Sequence, residues 1–243
     1  MTPFEADVAR RFGVIPNFFC TASSAPGLIE ELWTFAKAAY LDSPLPPLFK
    51  ERLFVHLSRF CEVRYCIVRH VAFLVGHGNP AGSAAAVPET VEQVIQLLER
   101  PIPDADSICD TFVRLESEWL RELPRPGTQV EADLFDALTV MFVSPRHSRR
   151  ARASVRAVVG ETTFEMLVAY LAFVRTAHFW TEMHPELAFE ADCVSMLAEH
   201  QKLADLVLRR SEADLVRCGD EVKTSVAALA SDRGAQRAFA EGT

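Results

Sequence analysis

"ERLFVHLSRFCEVRYCIVRH", residues Glu51 to His70, decides how this chain is read. Its apolar residues recur at helical spacing, and no run of alternating β-branched residues appears here or elsewhere, so the chain reads as all-α. On a helix turning about 100° per residue, Val63, Cys66, Ile67, His70, Phe73 and Leu74 share one arc, while Arg64, Tyr65, Val68 and Ala72 lie off it. Cys66 and His70 therefore point inward together, one turn apart.

Outward from this stretch, turn and cap residues divide the chain into helices. Thr2-Pro3-Phe4-Glu5 is a capping box with proline at the first helical position, and Gly13 is the stop. Ser24 is expected to cap "PGLIEELWTFAKAAYLD", and "SPLPPL" (Ser43 to Leu48) to launch the central stretch. Gly78 to Pro88 reads as a loop, "ETVEQVIQLLE" as a helix, and Asp106 as the cap of a helix ending near Leu123. Further helices are expected at Glu131 to Val143, Arg149 to Val159 and Glu161 to Met183, with His184-Pro185 opening the last helical region.

The C-terminal segment has a different character. Aromatics are sparse beyond Asp192, and Leu208, Leu215, Val222 and Leu229 repeat at seven-residue spacing. The companion positions Ser211, Cys218 and Ser225 suit a heptad poorly, and Gly219 sits among them. Either an amphipathic helix on the domain surface or a weak coiled coil leading to a signalling partner fits this pattern. The expected division is a domain over residues 1–190 and a helical extension over 191–243.

Bulk properties narrow the function. A chain of 243 residues with 49% hydrophobic and 24% charged residues can bury a substantial core. Its net charge of −8 argues against partnership with nucleic acid or an anionic membrane. "MLVAYLAFV" (Met166 to Val174) is among the longest apolar runs and is too short to span a bilayer. "MTPFEADVARR" lacks a signal-peptide pattern, so a cytoplasmic setting with reduced thiols is expected. The six cysteines do not read as a disulfide framework.

A thiol becomes a nucleophile when it ionises, and an imidazole one turn away can take its proton or steady the thiolate. The pair therefore leads to an expectation that His70 depresses the Cys66 pKa. The ordinary alternative is a packed core cysteine beside a core histidine. For Glu51 the ordinary alternative is a first-turn carboxylate favoured by the helix dipole.

Glu51 followed by Tyr65-Cys66-x-x-x-His70 resembles the carboxymuconolactone decarboxylase and alkylhydroperoxidase D-like superfamily, whose members carry a glutamate, a spacer and Cys-x-x-Cys-x-x-x-His. "RFGVIPNFF" before the stretch and "GETTFEMLVAYLAFVRTAHFWTEM" after it look like the family's opening connector and closing helix, so the likeness spans roughly residues 8 to 190. It implies an alkylhydroperoxidase D-like helical fold in which the motif forms an antiparallel helix pair. On one straight helix Glu51 and Cys66 would lie about 22 Å apart. A turn near Phe60 and Cys61 would instead set Glu51 against His70, ready to relay a proton to Cys66. "SRFCEVRY" contains no glycine, proline or asparagine to announce that turn.

The resemblance further implies thiol-dependent reduction of a small-molecule hydroperoxide at the expense of a thiol reductant. Cys66 would be the nucleophile, His70 the proton carrier and Glu51 its orienting group. It also implies a homo-oligomer and no metal or organic cofactor. The sequence departs from the pattern at Val63, where the family has its first cysteine. Cys61 is then either a substitute resolving thiol or a packed turn residue; on a continuous helix it would diverge from Cys66 by about 140°. Tyr65 and His178 are candidate pocket residues, although for His178 a satisfied core histidine is the preferred reading. A zinc set of His56, Cys61, Cys66 and His70 lacks standard spacing. The five arginines of "RHSRRARASVR" (Arg146 to Arg156) form an anion or subunit contact or a solvated face. Two further functions remain open: a redox or ligand sensor without turnover, and a decarboxylase-like activity on a cyclic acid.

Overall fold

Helix α3 (Pro47–Ser58) and helix α4 (Arg64–Leu74) form the central hairpin of the molecule, and the chain turns after α3 at residues 59–61. The computed structural model describes residues 1–61, 63–208 and 211–240, leaving out the side chains of 212 and 230–240. The break falls where the Glu51–His70 geometry requires it, and tertiary contacts make it. Arg59 is buried at the end of α3 and donates to the backbone carbonyls of Leu97 (3.2 Å) and Arg100. Its guanidinium thereby satisfies carbonyls at a helix C-terminus, where they lack intrahelical partners.

Twelve α-helices and no strand occur among the described residues. The capping box holds α1 (Pro3–Phe12) as expected: Thr2 N–H donates to Glu5 at 2.6 Å, Glu5 N–H donates to Thr2 at 3.1 Å, and Gly13 closes the helix at φ 77°. Helix α2 (Pro26–Ala36) begins at proline without a side-chain cap, so Ser24 does not serve as one, and its end widens into a π-turn over Lys37–Leu41. Helix α5 (Val91–Leu98) carries a second capping box, from Thr90 and Gln93.

Helix α6 (Ala105–Glu116) is capped by Asp104 rather than Asp106. The Asp104 carboxylate accepts the Ser107 N–H at 2.8 Å, and the helix stops well short of Leu123. Helices α7 (Gln129–Val143), α8 (Arg149–Val159) and α9 (Glu161–Glu182) follow the sequence expectation closely. The last helical region starts later than His184-Pro185, at α10 (Ala191–Glu199), followed by α11 (Gln201–Leu208) and α12 (Glu212–Ala240).

The central pair is enclosed on nearly every side. Helices α5 and α7 pack on α3, while α9, α10 and α11 pack on α4. Helix α4 is therefore buried all round except at Arg64, and Tyr65, Val68 and Ala72, which lie off the predicted arc, are core residues too. Burying side chains such as Leu53, Phe54 and Phe73 contributes about 1.5–3 kcal/mol each.

The seven-residue stripe does not lie on one helix. Leu208 ends α11 with its side chain largely exposed, and α12 begins only at Glu212. Within α12, Leu215, Cys218, Gly219, Val222 and Val226 form the buried face, which is an ordinary amphipathic pattern. That helix packs on α6 and α7 of the same molecule. Gly219 lies against the turn that follows α3: a Cβ added there would stand 2.4 Å from the carbonyl oxygen of Phe60. Residues 241–243 of the expected extension lie outside the described residues. No described helix is long and apolar enough to cross a membrane.

Candidate active site

The carboxylate of Glu51 is fully buried near the middle of α3 and accepts three hydrogen bonds. His70 Nδ1 lies 2.6 Å from Oε2, the Ala81 N–H lies 2.5 Å from Oε1, and the Tyr40 hydroxyl donates to Oε1 as well. An ionised carboxylate only accepts, so this contact puts a proton on Nδ1 of His70; in the neutral ring that tautomer has its lone pair on Nε2. The His70 ring is clamped flat against Phe54, with centroids 3.5 Å apart. Glu51 is beyond the first turn of α3 and bound by three donors, which excludes a helix-start role.

Two of those donors left no mark in the sequence. Tyr40 sits on the π-turn and is fixed from behind by Lys50, which donates to the carbonyls of Tyr40, Leu41 (3.4 Å) and Ser43 (3.1 Å). Burial brings the Lys50 amine down to about 8. Ala81 has φ 45° and ψ 37°, an unusual left-handed conformation for a residue with a Cβ. That conformation accompanies the approach of its N–H to Glu51. A backbone donor has no side-chain signature, and Tyr40 stands in an unremarkable helical segment.

Cys66 is the third residue of α4, where the helix dipole favours a negative sulfur once it forms. Its resting state is different. Burial pushes the thiol up to about 12, only partly offset by Thr181, whose Oγ1 lies 3.5 Å from Sγ. No hydrogen bond joins Cys66 to His70 among the described residues. The expected depression of the Cys66 pKa by His70 is thus corrected: desolvation outweighs everything near the thiol. What the two residues share is one cavity of about 40 Å³, which both line. Its walls are mainly aromatic, with Phe12, Phe18, Phe19, Phe54 and Phe173 among them.

Tyr65 also lines the cavity. Its hydroxyl accepts from the Phe18 N–H at 3.0 Å and donates to Glu190 at 2.5 Å. His178 does not line it, so the pocket alternative fails and the core-histidine reading of the sequence holds. Nε2 of His178 lies 2.8 Å from Ser58 Oγ, the ring packs edge-on against Phe54 and Phe142, and burial lowers its pKa to about 3. It is a neutral core histidine. Cys61 is half-buried in the turn with a free thiol that burial raises to about 12, and it is near enough for its charge to raise Cys66 further. Val63 is buried at the N-cap of α4.

The candidate zinc ligands do not assemble. His56 faces α7, with Nε2 3.0 Å from Thr139 Oγ1 and 4.0 Å from Asp136. Glu190, Asp192 and Cys193 do converge, but the Arg69 guanidinium already occupies that cluster, 2.8 Å from Asp192 and 3.5 Å from Glu190. The arginine run lies on α8 and the turn before it. Arg150 pairs with Glu116 at 2.8 Å and Arg156 with Glu161 at 3.1 Å, so part of its charge is neutralised within the molecule. No family model, curated protein or solved structure matches the chain.

Proposed function

We propose that this protein reduces hydroperoxides through Cys66, with His70 as proton acceptor and donor and Glu51 as the group that orients His70. The observation that carries this reading is the 2.6 Å contact of Glu51 with His70, which lines the same cavity as Cys66. Glu51 keeps the proton on Nδ1, which leaves Nε2 as the base and stabilises the imidazolium once formed.

In the proposed cycle the Cys66 proton passes to His70 Nε2 as the hydroperoxide binds. The thiolate attacks the outer peroxide oxygen, and an S–O bond forms as the O–O bond breaks. The departing alkoxide takes the proton from His70 and leaves as an alcohol, while Cys66 becomes a sulfenic acid. An external dithiol then attacks the sulfenic sulfur, water leaves, and the second thiol of the reductant releases Cys66 as its own disulfide closes. Cys61 is the alternative resolving group. It is half-buried in the turn, and Val63 offers no thiol, so the external route is favoured.

Peroxide consumption in the presence of a dithiol tests the proposal. Wild type should turn over and Cys66→Ser should not; equal rates would refute the assignment. A second reading, a sensor that does not turn over, draws on the high resting value of Cys66 and on Val63. It predicts that peroxide leaves Cys66 as a lasting sulfenic acid that dithiols do not clear.

A further inference from the structure

The cavity beside Cys66 is lined on one side by a short segment pinned through Glu190. Phe18 and Phe19 lie on a 3₁₀ turn, Asn17–Cys20, and both rings reach the cavity. Three polar ties hold this turn down. The Asn17 N–H donates to Glu190 Oε1 at 2.5 Å, the Asn17 side-chain amide donates to the Ala188 carbonyl at 2.9 Å, and the Phe18 N–H donates to Tyr65 at 3.0 Å. Tyr65 donates in turn to the same Glu190 oxygen, and Arg69 approaches the other at 3.5 Å. The carboxylate of Glu190 is therefore a single latch joining the turn, α4 and the segment before α10.

The space behind the latch is small. A cavity needs about 10–15 Å³ to hold one water-sized group, so about 40 Å³ admits roughly three or four non-hydrogen atoms. Protein interiors do not yield such space freely, because neighbouring side chains are close-packed. A larger ligand has to displace the aromatic walls, and two of them, Phe18 and Phe19, stand on the turn that Glu190 ties down.

Resting on the peroxidase reading above, we infer that Cys66 takes only hydroperoxides no larger than ethyl hydroperoxide, hydrogen peroxide included, and that Phe18 and Phe19, latched by Glu190, set this limit. The peroxide oxygens meet the thiol and His70, and a short alkyl end meets the aromatic rings. Bulky or lipid hydroperoxides are excluded by volume.

Two measurements on the full chain test this. In the first, kcat/KM with dithiothreitol is compared for hydrogen peroxide, ethyl hydroperoxide and cumene hydroperoxide. Cumene hydroperoxide should be at least about 100-fold poorer than ethyl hydroperoxide, and Phe18→Ala should narrow the gap. In the second, methyl and benzyl methanethiosulfonate, which share a reactive group and differ in bulk, modify the thiols, and each Cys66 rate is divided by that of the exposed Cys20. The ratio should fall at least about tenfold for the benzyl reagent, a purely steric readout that needs no turnover and no variant. If cumene and ethyl hydroperoxides are reduced equally well through Cys66, or the two reagents give equal ratios, the size limit is overturned while the peroxidase reading stands. If wild type consumes no hydroperoxide at all, the peroxidase reading falls and the substrate class falls with it.

Discussion

His70 holds its Nδ1 2.6 Å from Oε2 of Glu51, across a helix break that no residue in the turn announces. The carboxylate that receives this proton also receives the Ala81 N–H and the Tyr40 hydroxyl. Glu51 is thus both an electrostatic partner for His70 and a structural junction, and a change there should be felt twice.

Glu51→Gln should slow turnover by at least about tenfold, within the range for an acid–base group, and should also cost about 2–3 kcal/mol of stability because an amide cannot accept all three hydrogen bonds. Tyr40→Phe removes one donor and leaves the charge. It should cost about 1–2 kcal/mol and slow turnover less than Glu51→Gln does. Steady-state kinetics and denaturant unfolding on both variants give the ranking, and a reversed order would remove Glu51 from the proton path.

The resting Cys66 thiol should behave as a buried group and not as a stabilised thiolate. With its value near 12, the ionised fraction rises about tenfold per pH unit across the accessible range. The alkylation rate of Cys66 by a small reagent should therefore climb steadily from pH 7 to 10. A plateau beginning below pH 8 would show that His70 or the helix start already stabilises the thiolate without substrate.

His178 links stability to acid. Burial lowers it to about 3 from an ordinary value of 6.5, and the neighbouring His70 and Arg175 act in the same direction. Between those values the unfolded chain binds a proton that the folded chain refuses. Its contribution is complete above pH 6.5 and is lost as pH falls toward 3, at up to about 1.4 kcal/mol per unit. Asp136, raised by burial to about 6, acts in the opposite sense and is common to wild type and variant. His178→Gln should accordingly flatten the fall in unfolding free energy between pH 6 and pH 4; an unchanged slope would mean that His178 takes up its proton in the folded state.

Gly219 offers a test of sign. Alanine in a helix interior is ordinarily favoured over glycine by about 1 kcal/mol. Here the added Cβ would lie 2.4 Å from the Phe60 carbonyl oxygen, so Gly219→Ala should lose about 1–3 kcal/mol. Cys61, in the same turn, should become easier to alkylate. A stabilised variant would show that α12 does not press on the turn.

Local chemistry made much of this architecture legible. The Thr2–Glu5 box, Gly13 and the helices from Arg149 to Glu182 rest on contacts within a few residues, and Cys66 and His70 share a helix, so spacing places them. The sequence missed what distant contacts impose. Arg59 ends α3 by reaching two carbonyls at the end of α5, and Gly219 rests on the turn from the far end of the chain. The seven-residue stripe misled because Leu208 matches its period yet belongs to a different helix. The cavity's tightness depends on Phe18, Phe19 and Glu190 meeting across the fold, which no linear spacing encodes.

The hydrogen bonds into Glu51 come from near in sequence, spanning 11 residues to Tyr40, 19 to His70 and 30 to Ala81. The contacts that seal the thiol from water come from far away: 115 residues separate Cys66 from Thr181, and 125 separate Tyr65 from Glu190. In the proposed cycle the proton wire is therefore local and its insulation is remote. A chain extended only through Ala81 already contains every group of the wire, whereas the insulation needs α9 and the segment beyond it. Substitutions at Thr181 or Glu190 can retune how dry the sulfur is while leaving every atom of the wire in place.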